Sequence, residues 1–87
     1  MIEYRYKIVY PNGLHARPAT MLVSKANSYA SEMVIECDDR RVNLKSIMGV
    51  LSLGIPHNKP FKITFSGVDE EAAFQAVSRV IGEINEM

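Results

Sequence analysis

The spacing of apolar residues changes between two periods along this chain, and that change restricts its possible folds most strongly. From Ile2 to Val9 apolar and polar residues alternate, which is typical of a half-buried β-strand. From Ala16 to about Asn27 apolar residues recur at intervals of three and four, which is typical of an amphipathic helix. Pro18 requires this helix to begin near His15 or Ala16, because only the first turn tolerates a proline.

The same two periods recur through the rest of the sequence. Further strands are predicted around Met33–Cys37, Arg40–Asn43 and Phe61–Phe65. A short helix is predicted from an N-cap at Ser46 through Leu53 with a left-handed stop at Gly54, and a last helix follows Asp69 as its cap.

The predicted order is therefore βαββαβα. With so few strands, a single sheet is expected, and the apolar helix stripes need one common face to cover, so a two-layer α/β sandwich is predicted. A length of 87 residues suits one domain with a modest core, and residues 1–87 are interpreted as that domain.

Composition excludes several classes of protein. An apolar share of 47% argues against intrinsic disorder, and no stretch is long and apolar enough for a membrane span. The single cysteine and a start without signal-peptide features indicate a cytoplasmic protein. Net charge is zero, but residues 1–62 carry nine basic and five acidic side chains, so one side favours an acidic partner.

The segment Gly13–Ala19, GLHARPA, is the first feature that fold-building does not explain. A histidine at a helix start faces the free N–H groups of the first turn and the positive end of the dipole. Arg17 adds a guanidinium that can chelate phosphate oxygens. The segment therefore suits a phosphoryl group held briefly on His15, and a helix-cap histidine beside a surface arginine is the alternative.

The short helix after Ser46 is the second such feature. If Val50 and Leu53 face the core, then Ile47, Met48 and Leu51 point elsewhere and form a compact apolar patch. Such patches usually meet a partner, although a helix buried on both sides is the alternative. Ser46 is explained as an N-cap, yet a phosphate there would place about two negative charges beside the patch.

Other candidate sites are weaker. His57 lies in a Pro-rich loop with no carboxylate or cysteine at ligand spacing, so no metal site is predicted. The glycines are isolated, which argues against a nucleotide-binding loop, and no cofactor is expected. Cys37 lies on the apolar face of its strand and is not expected to be catalytic. No exposed aromatic pair lies beside a basic stripe, so nucleic-acid binding is not expected.

Two motifs, GLHARPA at 13–19 and VNLKSIMGVLSLG at 42–54, resemble the HPr family. These histidine-containing phosphocarriers serve the bacterial phosphoenolpyruvate-dependent sugar phosphotransferase system. The resemblance covers the whole chain. It implies an α+β open-faced β-sandwich whose four-stranded antiparallel sheet has the order 1-4-2-3, with helices on one face.

The resemblance also implies a role for individual residues. His15 would accept phosphate from enzyme I on Nδ1 and pass it to IIA domains of sugar permeases, while Arg17 and the backbone of Ala16 and Arg17 hold the phosphoryl group. Ser46 would be modified by the HPr kinase/phosphorylase, and the modified form would bind the catabolite control repressor. The implied partner-binding residues are Ala16, Thr20, Ser24, Ile47, Met48, Leu51 and Gly54.

The chain is thus expected to be a monomeric phosphocarrier and not an enzyme, without membrane insertion. The alternative is an HPr-like regulatory module that acts mainly through Ser46, by binding the kinase and the repressor.

Overall fold

A computed structural model describes all of residues 1–87. The elements are β1 (Ile2–Tyr6), α1 (Ala16–Ala26), β2 (Glu32–Cys37), β3 (Arg40–Asn43), α2 (Ile47–Leu53), β4 (Phe61–Ser66) and α3 (Glu70–Asn85). This is the predicted order βαββαβα. No helix is long and apolar enough to cross a lipid bilayer.

The four strands form one antiparallel sheet with the order β1-β4-β2-β3, which confirms the expected topology. Tyr6 lies opposite Phe61 at one end of the β1–β4 pair, and Ile35 lies opposite both Val42 and Ile63. The inward-facing strand residues and the apolar helix stripes share one core, as the alternation of residues predicts. Its largest fully buried members include Phe61, Phe65, Leu22, Met33, Ile35 and Ile84.

Strand β1 is shorter than the alternation predicts, because it ends at Tyr6 and not at Val9. Beyond Tyr6 the backbone finds other partners. The amide of Asn85 donates to the Lys7 carbonyl (3.0 Å) and accepts from the Val9 N–H (2.8 Å). On the other side, the N–H of Asn58 donates to the Ile8 carbonyl. Single side-chain and loop groups thus replace a neighbouring strand here.

Asp69 occupies the N-cap position of α3, but its carboxylate makes no capping bond there. It instead accepts hydrogen bonds from the hydroxyl of Ser31 and from the N–H groups of Ala30 (2.8 Å) and Ser31 (2.9 Å). The prediction of a side-chain cap was therefore wrong: three donors of the α1–β2 connection compete successfully for the carboxylate. The bond from the Ser31 hydroxyl, with that from the Ala30 N–H, holds the pKa of Asp69 below its ordinary value.

We expect Asp69→Asn to lower the melting temperature at neutral pH, because an amide replaces one acceptor oxygen by a donor. A carboxyl group with a lowered folded-state pKa stabilises the protein above its unfolded pKa of about 4 and loses this contribution as the pH falls. The two proteins should therefore converge in stability below that pH. Thermal unfolding followed by circular dichroism from pH 7 to pH 3 measures this, and a constant difference across the range would contradict it.

Candidate functional site

His15 lies at the junction between a buried anchor and the first turn of α1. Leu14 before it is almost fully buried, whereas His15 itself is exposed. The His15 backbone is extended at the N-cap position, and its N–H donates to the Gly13 carbonyl. The imidazole makes no hydrogen bond or ion pair within the protein. The backbone thus presents an unengaged imidazole to solvent, a group able to act as a nucleophile.

The turn into α1 leaves backbone donors free beside this imidazole. Ala16 has φ +35°, a left-handed conformation that costs a residue with a side chain about 1–3 kcal/mol. The N–H groups of Ala16 and Arg17 have no acceptor, and Pro18 has no N–H. The first helical bond that closes here runs from the Ala19 N–H to the His15 carbonyl. Two free donors therefore lie at the positive end of the helix, an arrangement that favours an anion.

Arg17 completes the site from the first turn of α1. Its side chain is exposed and makes no ion pair, while the neighbouring Pro18 is buried and fixes the start of the helix. A free guanidinium can take two phosphate oxygens at once. The structure thus brings together the predicted His15, Ala16 and Arg17.

The loop that follows α2 binds the backbone segment that precedes His15. The N–H of Leu14 donates to the Ile55 carbonyl (2.9 Å), and the N–H of Gly13 donates to the Tyr10 carbonyl (2.9 Å). Gly13 has φ +70°, and a Cβ there would lie 2.8 Å from the Pro56 Cα. Sequence reasoning missed this role for Gly13 and Ile55. Its only sequence signal is the Pro-Asn-Gly turn, since the close approach joins segments distant in sequence.

Helices α1 and α2 run antiparallel, which places Ser46 far from His15. The Leu14–Ile55 bond joins the start of α1 to the end of α2, and the Asn27 amide donates to the Lys45 carbonyl at the opposite ends. Eleven residues of α1 separate these ends, or roughly 16 Å at the rise of an α-helix. The Ser46 hydroxyl accepts from the Gly49 N–H, which confirms it as the N-cap of α2, and Gly54 has the predicted left-handed conformation.

The predicted partner-binding residues differ in exposure. On α1, Ala16, Thr20 and Ser24 are exposed and recur every four residues, so they form one stripe. On α2, Met48 is 77% exposed, but Ile47 and Leu51 are half-buried and pack against the core. Of the three residues expected to form an outward apolar patch, only Met48 is largely exposed, because α2 packs against both α1 and β3 and leaves Ile47 and Leu51 partly covered. Leu53 is also only half-buried, whereas Val50 is buried as expected.

The remaining candidates are not combined into a site. His57 is exposed in its loop, as predicted. Cys37 is buried, and burial, with the negative charge of Asp38, raises the pKa of its thiol, which disfavours the reactive thiolate. No group of three or more His, Cys, Asp or Glu side chains is placed to hold a metal ion.

Comparison with known proteins identifies the family. A family model described as "PTS HPr component phosphorylation site" matches residues 2–83, nearly the whole chain. The chain belongs to the HPr family. It is therefore related to the phosphocarriers of the phosphotransferase system, and the resemblance found in its two motifs is confirmed.

Solved structures of HPr proteins agree along their full length. The chain is 38% identical to HPr-C-His from Thermoanaerobacter tengcongensis, with a TM-score of 0.94, covering 100% of this chain and 98% of that one. It is 39% identical to the phosphocarrier protein HPr from Bacillus anthracis, with a TM-score of 0.85 and coverages of 91% and 94%. Crh, the Bacillus subtilis catabolite repression protein, is 32% identical with a TM-score of 0.75, covering 97% of each chain.

Proposed function

We propose that residues 1–87 act as a single phosphocarrier domain that accepts a phosphoryl group from enzyme I on His15 and transfers it to IIA domains of sugar permeases. The observation that carries this proposal is the exposed, unengaged imidazole next to the free N–H groups of Ala16 and Arg17. A helix-cap histidine, the alternative from sequence, is disfavoured because the imidazole makes no capping bond.

The chemistry follows from this arrangement. The imidazole Nδ1 attacks phosphorus in line with the leaving group and later becomes the leaving group itself. Phosphoryl transfer depends mainly on positioning and on neutralising the charge of the equatorial oxygens. The amides of Ala16 and Arg17 and the Arg17 guanidinium supply that neutralisation. The bond between phosphorus and the imidazole nitrogen remains weak enough for the phosphoryl group to be transferred to the next protein.

Partner docking is assigned to the exposed surface of α1 and α2. It comprises the exposed Ala16, Thr20, Ser24, Met48 and Gly54, with Ile47 and Leu51 partly exposed beside them. Met48 is its most protruding apolar residue, and a flexible methionine suits a surface that serves several partners. Neither helix contains an acidic residue, while α1 carries Arg17 and Lys25, so an acidic partner surface is favoured.

Ser46 is proposed as a regulatory site for the kinase/phosphorylase, whose product would bind the catabolite control repressor. Ser46 is partly exposed at the N-cap of α2, where its hydroxyl accepts from the Gly49 N–H. A phosphate at this position would lie at the positive end of the helix and add about two negative charges to the docking surface.

We expect Ser46→Asp to slow phosphorylation of His15 by enzyme I roughly tenfold at low salt. Ser46 lies at the opposite end of the α1–α2 pair from His15, so the added charge is expected to act on docking and not on the imidazole. The slower phosphorylation should therefore appear as a higher KM, with kcat nearly unchanged. Steady-state kinetics at several salt concentrations measure this, with Ser46→Ala as the control. An effect confined to kcat and insensitive to salt would contradict it.

The second candidate is a regulatory module that acts through Ser46, favoured by the 32% identity to Crh over 97% of each chain. Reconstitution with enzyme I, phosphoenolpyruvate and a purified IIA domain separates the two. The proposed function predicts that the IIA domain becomes phosphorylated only when this protein is present. A regulatory module would leave the IIA domain unmodified.

A further inference from the structure

A groove lies between the edge strand β1 and helix α3, away from the α1–α2 surface. Its volume is about 710 Å³, and no acidic side chain lines it. Its lining includes Tyr4, Phe74, Lys7 and Arg79. Tyr4 is 53% exposed and contacts both Tyr6 and Phe74 edge to face or tilted. An aromatic floor is thus combined with cations at an open edge of the sheet.

The outer edge of β1 offers backbone groups that nothing in the protein uses. In an antiparallel sheet, alternate residues direct their N–H and C=O to opposite neighbours. The Met33 carbonyl accepts from the Leu44 N–H, which follows β3. The backbone groups of the odd-numbered residues of β2 therefore point toward β3, and those of the even-numbered residues point toward β4. The register carries this alternation through β4 to β1. The backbone N–H and C=O groups of Tyr4 therefore point toward β4, and those of Glu3 and Arg5 point outward.

Asn85 shows that this edge accepts a strand-like partner. Its amide pairs with the Lys7 carbonyl and the Val9 N–H, the two groups that a neighbouring strand would bind. Lys7 and Val9 continue the outward series of Glu3 and Arg5. One pairing position is therefore filled by a side chain, and the positions at Glu3 and Arg5 remain open to an extended segment.

The charges of this region are unbalanced, unlike those on the solvent-facing side of the sheet. There Glu3, Lys62, Glu36 and Arg41 form a chain of ion pairs at 3.7–3.8 Å. In contrast, Lys7 and Arg79, the two cations that line the groove, have no acidic side chain within ion-pair distance. The groove thus presents two unpaired cations beside an exposed aromatic residue, while Arg5 lies with Glu3 and Lys62 on the opposite face of β1.

We propose that this surface binds an extended acidic segment of a partner protein, which adds to the sheet as a fifth strand beside β1. Its backbone pairs with Glu3 and Arg5. Side chains of the segment on the groove side pack against Tyr4 and Phe74, and its carboxylates meet Lys7 and Arg79. Edge pairing of this kind takes affinity from main-chain bonds and specificity from alternate side chains.

A second copy of this chain fits less well as the occupant. Its own edge strand and the residue that follows carry Arg5 and Lys7 against a single acid, Glu3. Pairing two such edges would bring cations toward a groove that already contains Arg79. The proposed surface is also independent of His15, so its test does not depend on phosphoryl transfer.

The test uses nuclear magnetic resonance of the ¹⁵N-labelled protein with a capped eight-residue peptide of the repeat Thr-Val-Thr-Glu, which places valine and glutamate on the same face of an extended strand. We expect the largest shifts at the amides of Glu3 and Arg5, with a dissociation constant on the order of 0.1–1 mM. The N–H groups of Tyr4 and Tyr6, which face β4, should shift less. The same peptide with lysine in place of both glutamates should bind much more weakly.

Charge-reversal variants provide the matched control. Arg79→Glu should weaken peptide binding roughly five- to tenfold, because one attraction becomes a repulsion. Lys25→Glu, the same change on α1, should alter it less than about twofold. The proposal is overturned by equal binding of both peptides, by shifts confined to α1 and α2, or by no shifts at millimolar peptide. Shifts at Glu3 and Arg5 that depend on protein concentration alone would assign the edge to a second copy and also overturn it.

Discussion

Replacing His15 by alanine is expected to abolish phosphoryl acceptance while leaving the fold intact. The imidazole is exposed and makes no hydrogen bond within the protein, so its removal takes nothing from the core. The free energy of unfolding should change by no more than about 0.5 kcal/mol. Pyruvate release by enzyme I measures acceptance, because each phosphoryl group transferred liberates one pyruvate, and circular dichroism measures the fold.

The chain offers its own control for this prediction. His57 is the second of only two histidines and is also exposed, but it lies in the loop before β4 with no helix start beside it. His57→Ala should therefore accept phosphate at the original rate. If His15→Ala retained acceptance, or if His57→Ala lost it, the assignment of the acceptor would be wrong.

Gly13→Ala is expected to cause a larger loss of stability than any surface change in this protein. The new Cβ would meet the Ile55 carbonyl and lie 2.8 Å from the Pro56 backbone, at a φ of +70° that alanine avoids. Left-handed strain and overpacking together should cost about 2–5 kcal/mol. Because Leu14 is bonded to Ile55, relief of the clash should also displace His15 and slow phosphoryl acceptance about tenfold or more.

Gly54→Ala separates the two contributions. Gly54 has a similar φ of +57°, but a Cβ there has no neighbour within 4 Å. Only the conformational penalty of about 1–2 kcal/mol should remain. Chemical denaturation of both variants measures the difference. Equal losses of stability would show that the approach of Pro56 to Gly13 has no energetic importance.

Much of the fold could be predicted from local patterns. Alternation located the four strands, three- and four-residue spacing located the three helices, and Ser46 and Gly54 marked both ends of α2. The sheet order was expected only through the family resemblance, because apolar spacing shows which face of a strand is buried and not which strand lies beside it.

The features that the sequence did not predict depend on distant partners. Asp69 accepts a hydrogen bond from Ser31, and the Asn85 amide donates to the Lys7 carbonyl, although the members of each pair are far apart in the chain. Ile47 and Leu51 are half-buried because α2 packs against both α1 and β3, which helical spacing within α2 cannot show. The left-handed Ala16 had no signal either, since an alanine is an unusual residue for that conformation.

The central claim is that His15 carries a phosphoryl group, and one mass measurement tests it most directly. The purified protein is incubated with enzyme I and phosphoenolpyruvate, and its intact mass is recorded before and after mild acid. We expect the addition of one phosphoryl group that disappears in acid, as is typical of phosphohistidine, and no addition to His15→Ala. An unchanged mass, with an authentic HPr phosphorylated alongside, or an acid-stable phosphate would contradict it.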